Sequence, residues 1–144
     1  MKLASLALVF VMASSACGEP IDLKGKVAED FDWAAYFASG TDSTADQMTK
    51  AQDAVAVLKL RMEELCKQYR DLMTKRDDLE AVKLFDSLQE NWQRFADAEV
   101  AFVGASWAGG SGQKAAIPHH RFTVYLRRLK ELRDLKGHSL FLNE

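Results

Sequence analysis

His119 and His120 stand side by side near the start of the last apolar-patterned stretch, and adjacent histidines raise the question of a metal. Successive helical side chains diverge by about 100°. No other His or Cys lies three or four residues away, so the spacing does not put two ligands on one ion. Cys66 is the other reactive type. Leu58, Met62, Leu65 and Tyr69 surround it at helical spacing, which predicts a buried, inert thiol. Ser111 sits among Gly109, Gly110 and Gly112 without the strand-turn-helix setting of a nucleophile elbow. The same loop lacks the Lys-Ser/Thr ending of a phosphate cradle. Asp97 and Glu99, two apart on a helix, point in nearly opposite directions and do not form an acid-base pair. The reading is therefore no catalytic residue, no metal and no cofactor, and a function in recognition.

Asp97 matters instead as structure. It follows Phe95 by two positions, at the edge of an apolar stripe, where a desolvated carboxylate needs a partner. Arg128, between Tyr125 and Leu132, borders the stripe of the last helix, and an Asp97–Arg128 contact is expected.

Three long periodic stretches position these residues. From Thr41–Thr44 to about Lys75, the residues Ala51, Ala54, Val55, Leu58, Met62, Leu65, Tyr69, Leu72 and Met73 recur with the 3.6-residue period of one buried face. Lys59, Glu63, Lys67 and Arg70 fill the solvated side. Asp77 or Asp78 is the expected N-cap of a second helix. Its stripe is Val82, Phe85, Leu88, Trp92, Phe95 and Phe102, with Val103 and Trp107 alongside. Gly109, Gly110 and Gly112 end that helix, because so many glycines lose too much backbone entropy to stay helical. Pro118 suits the first turn of a last helix, with Phe122, Tyr125, Leu126, Leu129, Leu132 and Leu135 as its stripe and Gly137 as its stop. Residues 28–38 predict a short helix with Phe31, Ala34, Ala35 and Ala38 on one side. No stretch alternates as a strand does. The expected fold is all-α, a small antiparallel bundle of three long helices plus a short N-terminal one.

The first sixteen residues read as an export signal: Lys2, then an apolar run from Leu3 to Ala13, then small residues. That run is too short to span a bilayer. Cys17 after Ser15-Ala16 suits a bacterial lipoprotein signal, with lipid on the thiol and cleavage before it, although Ser14 stands where an aliphatic residue is usual. The alternative is plain cleavage around Ala16, yielding a soluble periplasmic protein. Either route takes the chain out of the cytosol. With Cys17 lipidated, Cys66 has no cysteine to pair with. Gly18 and Glu19 lack the Asp of inner-membrane retention, which favours the outer membrane. Residues 17–27 form the anchor and a tether, and residues 28–144 form one domain. The formal charge of −2 argues against nucleic acid, whose phosphates call for a basic surplus. Glu29, Asp30, Asp32, Asp42 and Asp46 lie in a stretch without Lys or Arg, the candidate surface for a basic protein partner.

Gln89-x-x-Trp92-x-x-Phe95-x-Asp97 resembles the central signature of the lysozyme-inhibitor LprI-like N-terminal domain family, small exported helical domains that are often lipoproteins. Leu65-x-x-x-Tyr69, Gly109-Gly110-Ser111 and Arg128-x-x-x-Leu132 are similar to further pieces of that pattern, in order, over residues 65–132. There are departures. Val100 and His120 stand where the family commonly has cysteines, Asp53 occupies the place of a first-helix cysteine, and Ala96 replaces an Arg. The resemblance implies a membrane-tethered protein that inhibits an animal-type lysozyme by occluding its cleft. The acidic segment and the Gly109–Gly112 loop would be the contacts. The alternative is a structural, assembly or immunity role on another envelope protein, with Trp33, Tyr36 and Phe37 as exposed contact aromatics.

Overall fold

The computed structural model describes residues 21–40, 43–110 and 112–135. A single 3-10 turn, Ala28–Asp30, leads into α1 (Trp33–Ala38), α2 (Thr44–Lys75), α3 (Leu79–Ser106) and α4 (Gln113–Leu135). No strand occurs among the described residues, and the architecture is the all-helical bundle that the periodicity predicts. None of the described helices is long and apolar enough to cross a membrane.

Local chemistry sets the helix ends. The Ser43 hydroxyl accepts the Asp46 N–H at 3.1 Å and donates to the Asp46 carboxylate at 2.7 Å, a reciprocal cap on α2. At the other end, Asp77 takes a left-handed φ of 57°, and the Met73 carbonyl accepts the N–H of both Arg76 and Asp78. Asp78 then caps α3, its carboxylate accepting the Ala81 N–H at 2.9 Å. Only three residues separate the two long helices, which forces them antiparallel.

The register bears this out. Tyr69 of α2 meets Phe85 of α3, with ring centroids 5.4 Å apart, and further along α3 Trp92 meets Tyr125 of α4 at 5.2 Å. Glu99 bonds His120 at 3.1 Å, so α4 runs back along α3. Helices α2 and α4 are consequently parallel and share the most extensive interface of the fold. The Tyr69 hydroxyl donates to the Leu132 carbonyl at the far end of that interface.

Helix α4 begins earlier than expected. Pro118 lies inside it, more than a turn from the start at Gln113. The Gly112 carbonyl accepts the N–H groups of Ala115 and Ala116, so the turn is already wound before the proline. Ile117 then seats on Gly104 of α3, where an added Cβ would lie 3.0 Å from the isoleucine tip.

Two faces were assigned differently by periodicity. In α3 the buried residues are Phe85, Ala96, Val100 and Gly104, whereas Leu88, Phe95 and Phe102 are exposed. Close approach of α4 demands small residues on the inner side, and Phe95 lies about 100° round the helix from Ala96. At the N-terminus, Trp33 is the buried residue, while Ala34, Ala35 and Ala38 are exposed. The Trp33 indole donates to the Ala28 carbonyl at 2.7 Å, and its ring packs against Phe122 at 5.2 Å. Trp33 is therefore a core residue and no contact aromatic.

The N-terminal segment is also clamped by charge. Glu29 has a side chain only 1% exposed. It accepts two bonds from Arg61, from Nε and Nη2, both at 3.1 Å. Arg61 is held on its other side by Glu64 at 2.7 Å. Asp30 receives Arg133 of α4 at 2.7 Å. Glu29 thus leaves the candidate partner surface, because a carboxylate buried this deeply is stable only when paired. Arg61→Ala strands that carboxylate and is expected to cost about 3 kcal/mol of stability. Urea unfolding followed by tryptophan fluorescence checks this; an unchanged midpoint would show the pair to be dispensable.

Candidate functional site

Gln89 and Trp92 lie one turn apart on α3, on the side facing α2 and α4. With Met62, Glu63, Cys66, Arg70 and Gln93 they line a cleft of about 180 Å³. Beside it the Arg128 guanidinium lies 5.5 Å from the centre of the Trp92 ring, a favourable placement of a cation over a π face. Arg128 is 7% exposed and gives one bond, from Nη1 to Glu131 at 3.1 Å. Among the described residues no acceptor meets its Nε or Nη2, nor the side-chain nitrogen of Gln89. The Tyr125 hydroxyl donates to Gln93 at 3.0 Å and completes this polar layer between the apolar ends of the bundle.

The structure therefore brings together most of the residues quoted for the signature. Leu65, Tyr69 and Leu132 are buried in the core, and Gln89, Trp92 and Arg128 form the polar layer beside them. Phe95 and Asp97 leave the cluster. Asp97 is exposed and accepts a bond from Gln93 at 3.1 Å. The expected Asp97–Arg128 contact does not form. The antiparallel register sets Arg128 opposite Trp92, more than a turn from Asp97, and Asp97 lies about 100° beyond the buried Ala96. Glu99 is the carboxylate that α3 turns toward α4, bonding His120 at 3.1 Å and Arg127 at 3.0 Å.

Cys66 is buried, as its spacing predicts. Desolvation pushes its thiol pKa above the ordinary value, outweighing the opposing pull of Arg70 and Arg128. His119 packs on Phe37 at 4.8 Å, apart from the ion pair of its neighbour. Among the described residues no group of three His, Cys, Asp or Glu side chains is placed to hold a metal.

The second candidate region is the end of the bundle where α2 and α4 begin and α3 finishes. Gly109 and Gly110 form the turn there, with Gly109 at a φ of 87° that disfavours a side chain. Trp107 caps α3 beside them and is 52% exposed. Phe37 reaches this end, packing on Phe122 at 4.9 Å. Asp32 caps α1 by accepting the Ala35 N–H at 2.9 Å, and Asp46 sits in the first turn of α2; both carboxylates remain at the surface. Burial raises the pKa of Asp53, and burial followed by the Asp53 charge raises that of Tyr36. Lys50 closes the group, bonding the Tyr36 carbonyl at 3.1 Å. Cys17, Asp42 and Ser111 lie outside the described residues.

Sequence reasoning overlooked Arg61, which it left unassigned on α2. The signal was present: a lone arginine between Leu58 and Leu65, on the border of the stripe. It also placed Trp107 beside the α3 stripe, whereas its position after the last helical turn exposes it. Searches against protein-family models, curated proteins and solved structures find no match for this chain.

The neutral thiol of Cys66 favours folding below the ordinary thiol pKa of about 8.5, and that contribution is lost as pH rises through the elevated folded value. Ellman's reagent at pH 8 is therefore expected to leave Cys66 unmodified in native protein and to react fully in urea. Rapid native labelling would contradict its burial.

Proposed function

We propose that the protein is an exported, lipid-anchored binding protein of the cell envelope that blocks a lysozyme-type muramidase by covering its cleft, without a covalent step. The observation that carries this reading is the composition of one bundle end. There, exposed Asp46 in the first turn of α2 shares the end of the bundle with exposed Trp107 and the Gly109–Gly110 turn. Acidic groups draw in a basic partner and set its orientation, and a projecting tryptophan on a narrow turn supplies the apolar contact that interfaces concentrate in few residues.

The packing also supports the resemblance to the LprI-like domains. Leu65, Tyr69 and Leu132, buried in the core, lie beside the polar layer of Gln89, Trp92 and Arg128. Val100 is buried in α3, and its neighbour Glu99 bonds His120. Thus the two positions that the resemblance assigns to cysteines lie at or beside one α3–α4 contact, where the Glu99–His120 hydrogen bond stands in place of a covalent staple. Anchoring through Cys17 would hold this pole outside the membrane on the tether of residues 17–27.

Purified protein added to a basic animal-type lysozyme digesting bacterial walls is expected to slow cleavage saturably. Trp107→Ala should weaken that inhibition at least tenfold while leaving the thermal melt in place. Unchanged cleavage at a large excess of protein would reject inhibition, and co-purification of an envelope protein would then favour the assembly or immunity role. In cells, Cys17→Ser is expected to move the protein from the membrane pellet to the soluble periplasmic fraction; retention in the pellet would exclude the lipid anchor.

A further inference from the structure

The outer face of α3 carries more apolar surface than a solvated helix requires. Leu84 is 63% exposed, Leu88 47%, Phe95 59% and Phe102 73%. Together they present on the order of 450 Å² of apolar side chain in one stripe, a size that marks interaction surfaces. Among the described residues, α2 and α4 cover the opposite face of α3, where Ala96 and Val100 are buried, Phe85 packs on Tyr69 and Trp92 on Tyr125.

The spacing specifies what covers the stripe. Leu88, Asn91, Phe95, Ala98, Phe102 and Ala105 follow one another at alternating steps of three and four, the heptad seam of a helix packed along a second helix. A lipid surface imposes no such alternation. Within the seam, size alternates as well: the first position of each heptad is large (Leu88, Phe95, Phe102), and the fourth is small (Asn91, Ala98, Ala105). In a parallel pair like positions meet, so Phe95 would collide with its equivalent while Ala98 faced a void. In an antiparallel pair large positions meet small ones, the arrangement that fills space.

We infer that α3 pairs with α3 of a second copy of this chain, antiparallel about a two-fold axis between Phe95 and Ala98. Phe95 then packs on the partner's Ala98, Leu88 on the partner's Ala105, and Phe102 on the partner's Asn91. Every contact is made twice, the self-complementarity that a two-fold interface demands. Roughly 30 Å of helix is paired, and the stripe with its flanking rows approaches the about 800 Å² per partner of a standard interface. The pairing sets the Trp107 ends of the two copies at opposite ends of the dimer. It rests on the α3 face alone and stands or falls independently of muramidase binding.

Sedimentation equilibrium of the chain carrying Cys17→Ser is expected to show a reversible monomer–dimer transition. Phe95→Glu should weaken it at least a hundredfold with the helical circular dichroism unchanged, since Phe95 supports nothing in its own core. Ala98→Leu should weaken it at least tenfold although it adds apolar surface, because it fills the space that the partner's Phe95 occupies. Oxidation of the double variant Leu88→Cys, Ala105→Cys should link position 88 of one copy to position 105 of the other. A monomer at several hundred micromolar, a dimer that tolerates both single substitutions, or one strengthened by Ala98→Leu would overturn the pairing. So would an 88-to-88 link, or a monomer that floats with phosphatidylcholine vesicles.

Discussion

The parallel seam between α2 and α4 is the constraint on which the other elements depend. Ala51, Ala54 and Leu58 on one helix and Val124, Leu129 and Leu132 on the other are sealed from solvent. The two alanines leave room for close approach, and the leucines supply the apolar area that water rejects at about 25 cal/mol per Å². The connection between these helices cannot be short, because parallel neighbours have their ends a full helix length apart. Helix α3 is the return path. Its length is set by the distance it must cover, and its inner residues shrink from Phe85 and Trp92 to Ala96, Val100 and Gly104 toward the end where Ile117 of α4 seats.

Charge then orients what packing holds. The Glu29–Arg61 bridge is buried on its acidic side and two-pronged, so it fixes both the position and the rotation of the N-terminal turn. Trp33 fills the space beneath that turn, and Arg133 reaches from α4 to Asp30. Attachment of a short segment to two helices makes the fold continuous from Ala28 to the last helix. Arg128 is the contrasting case: a buried cation with a single carboxylate and an indole face. Its π contact and its bond to Glu131 offset part of the desolvation, and with Gln89, Trp92 and Tyr125 it gives the bundle a polar layer between α3 and α4.

Helix α3 faces two ways, and this divides the functional surfaces of the molecule. Its inner side builds the core; its outer side bears large aromatic and aliphatic groups at heptad spacing; its C-terminal end leaves Trp107 exposed beside the Gly109–Gly110 turn. The proposed recognition at the pole and the proposed pairing along the side would use different residues, so neither would block the other. Each surface has its own chemistry, charge and a projecting ring at the pole against steric alternation along the helix.

Helix number, the start of α2 near Thr44, an N-cap for α3 at Asp77 or Asp78, the stripe of α2 and the burial of Cys66 were legible in the residues themselves, since they depend on local hydrogen bonds and on a period that one helix displays alone; the Ser43 cap was not read from them. The Gly109–Gly110 turn was legible for the same reason, because backbone entropy acts within a few residues. Tertiary structure decided which of two apolar faces of α3 turned inward, since Phe95 and Ala96 are both compatible with a period of 3.6 and only the approach of α4 chooses between them. It likewise paired Arg128 with Trp92 and Glu29 with Arg61 in preference to the expected Asp97 contact. Those choices are set by register, a relation between distant segments that local pattern does not encode.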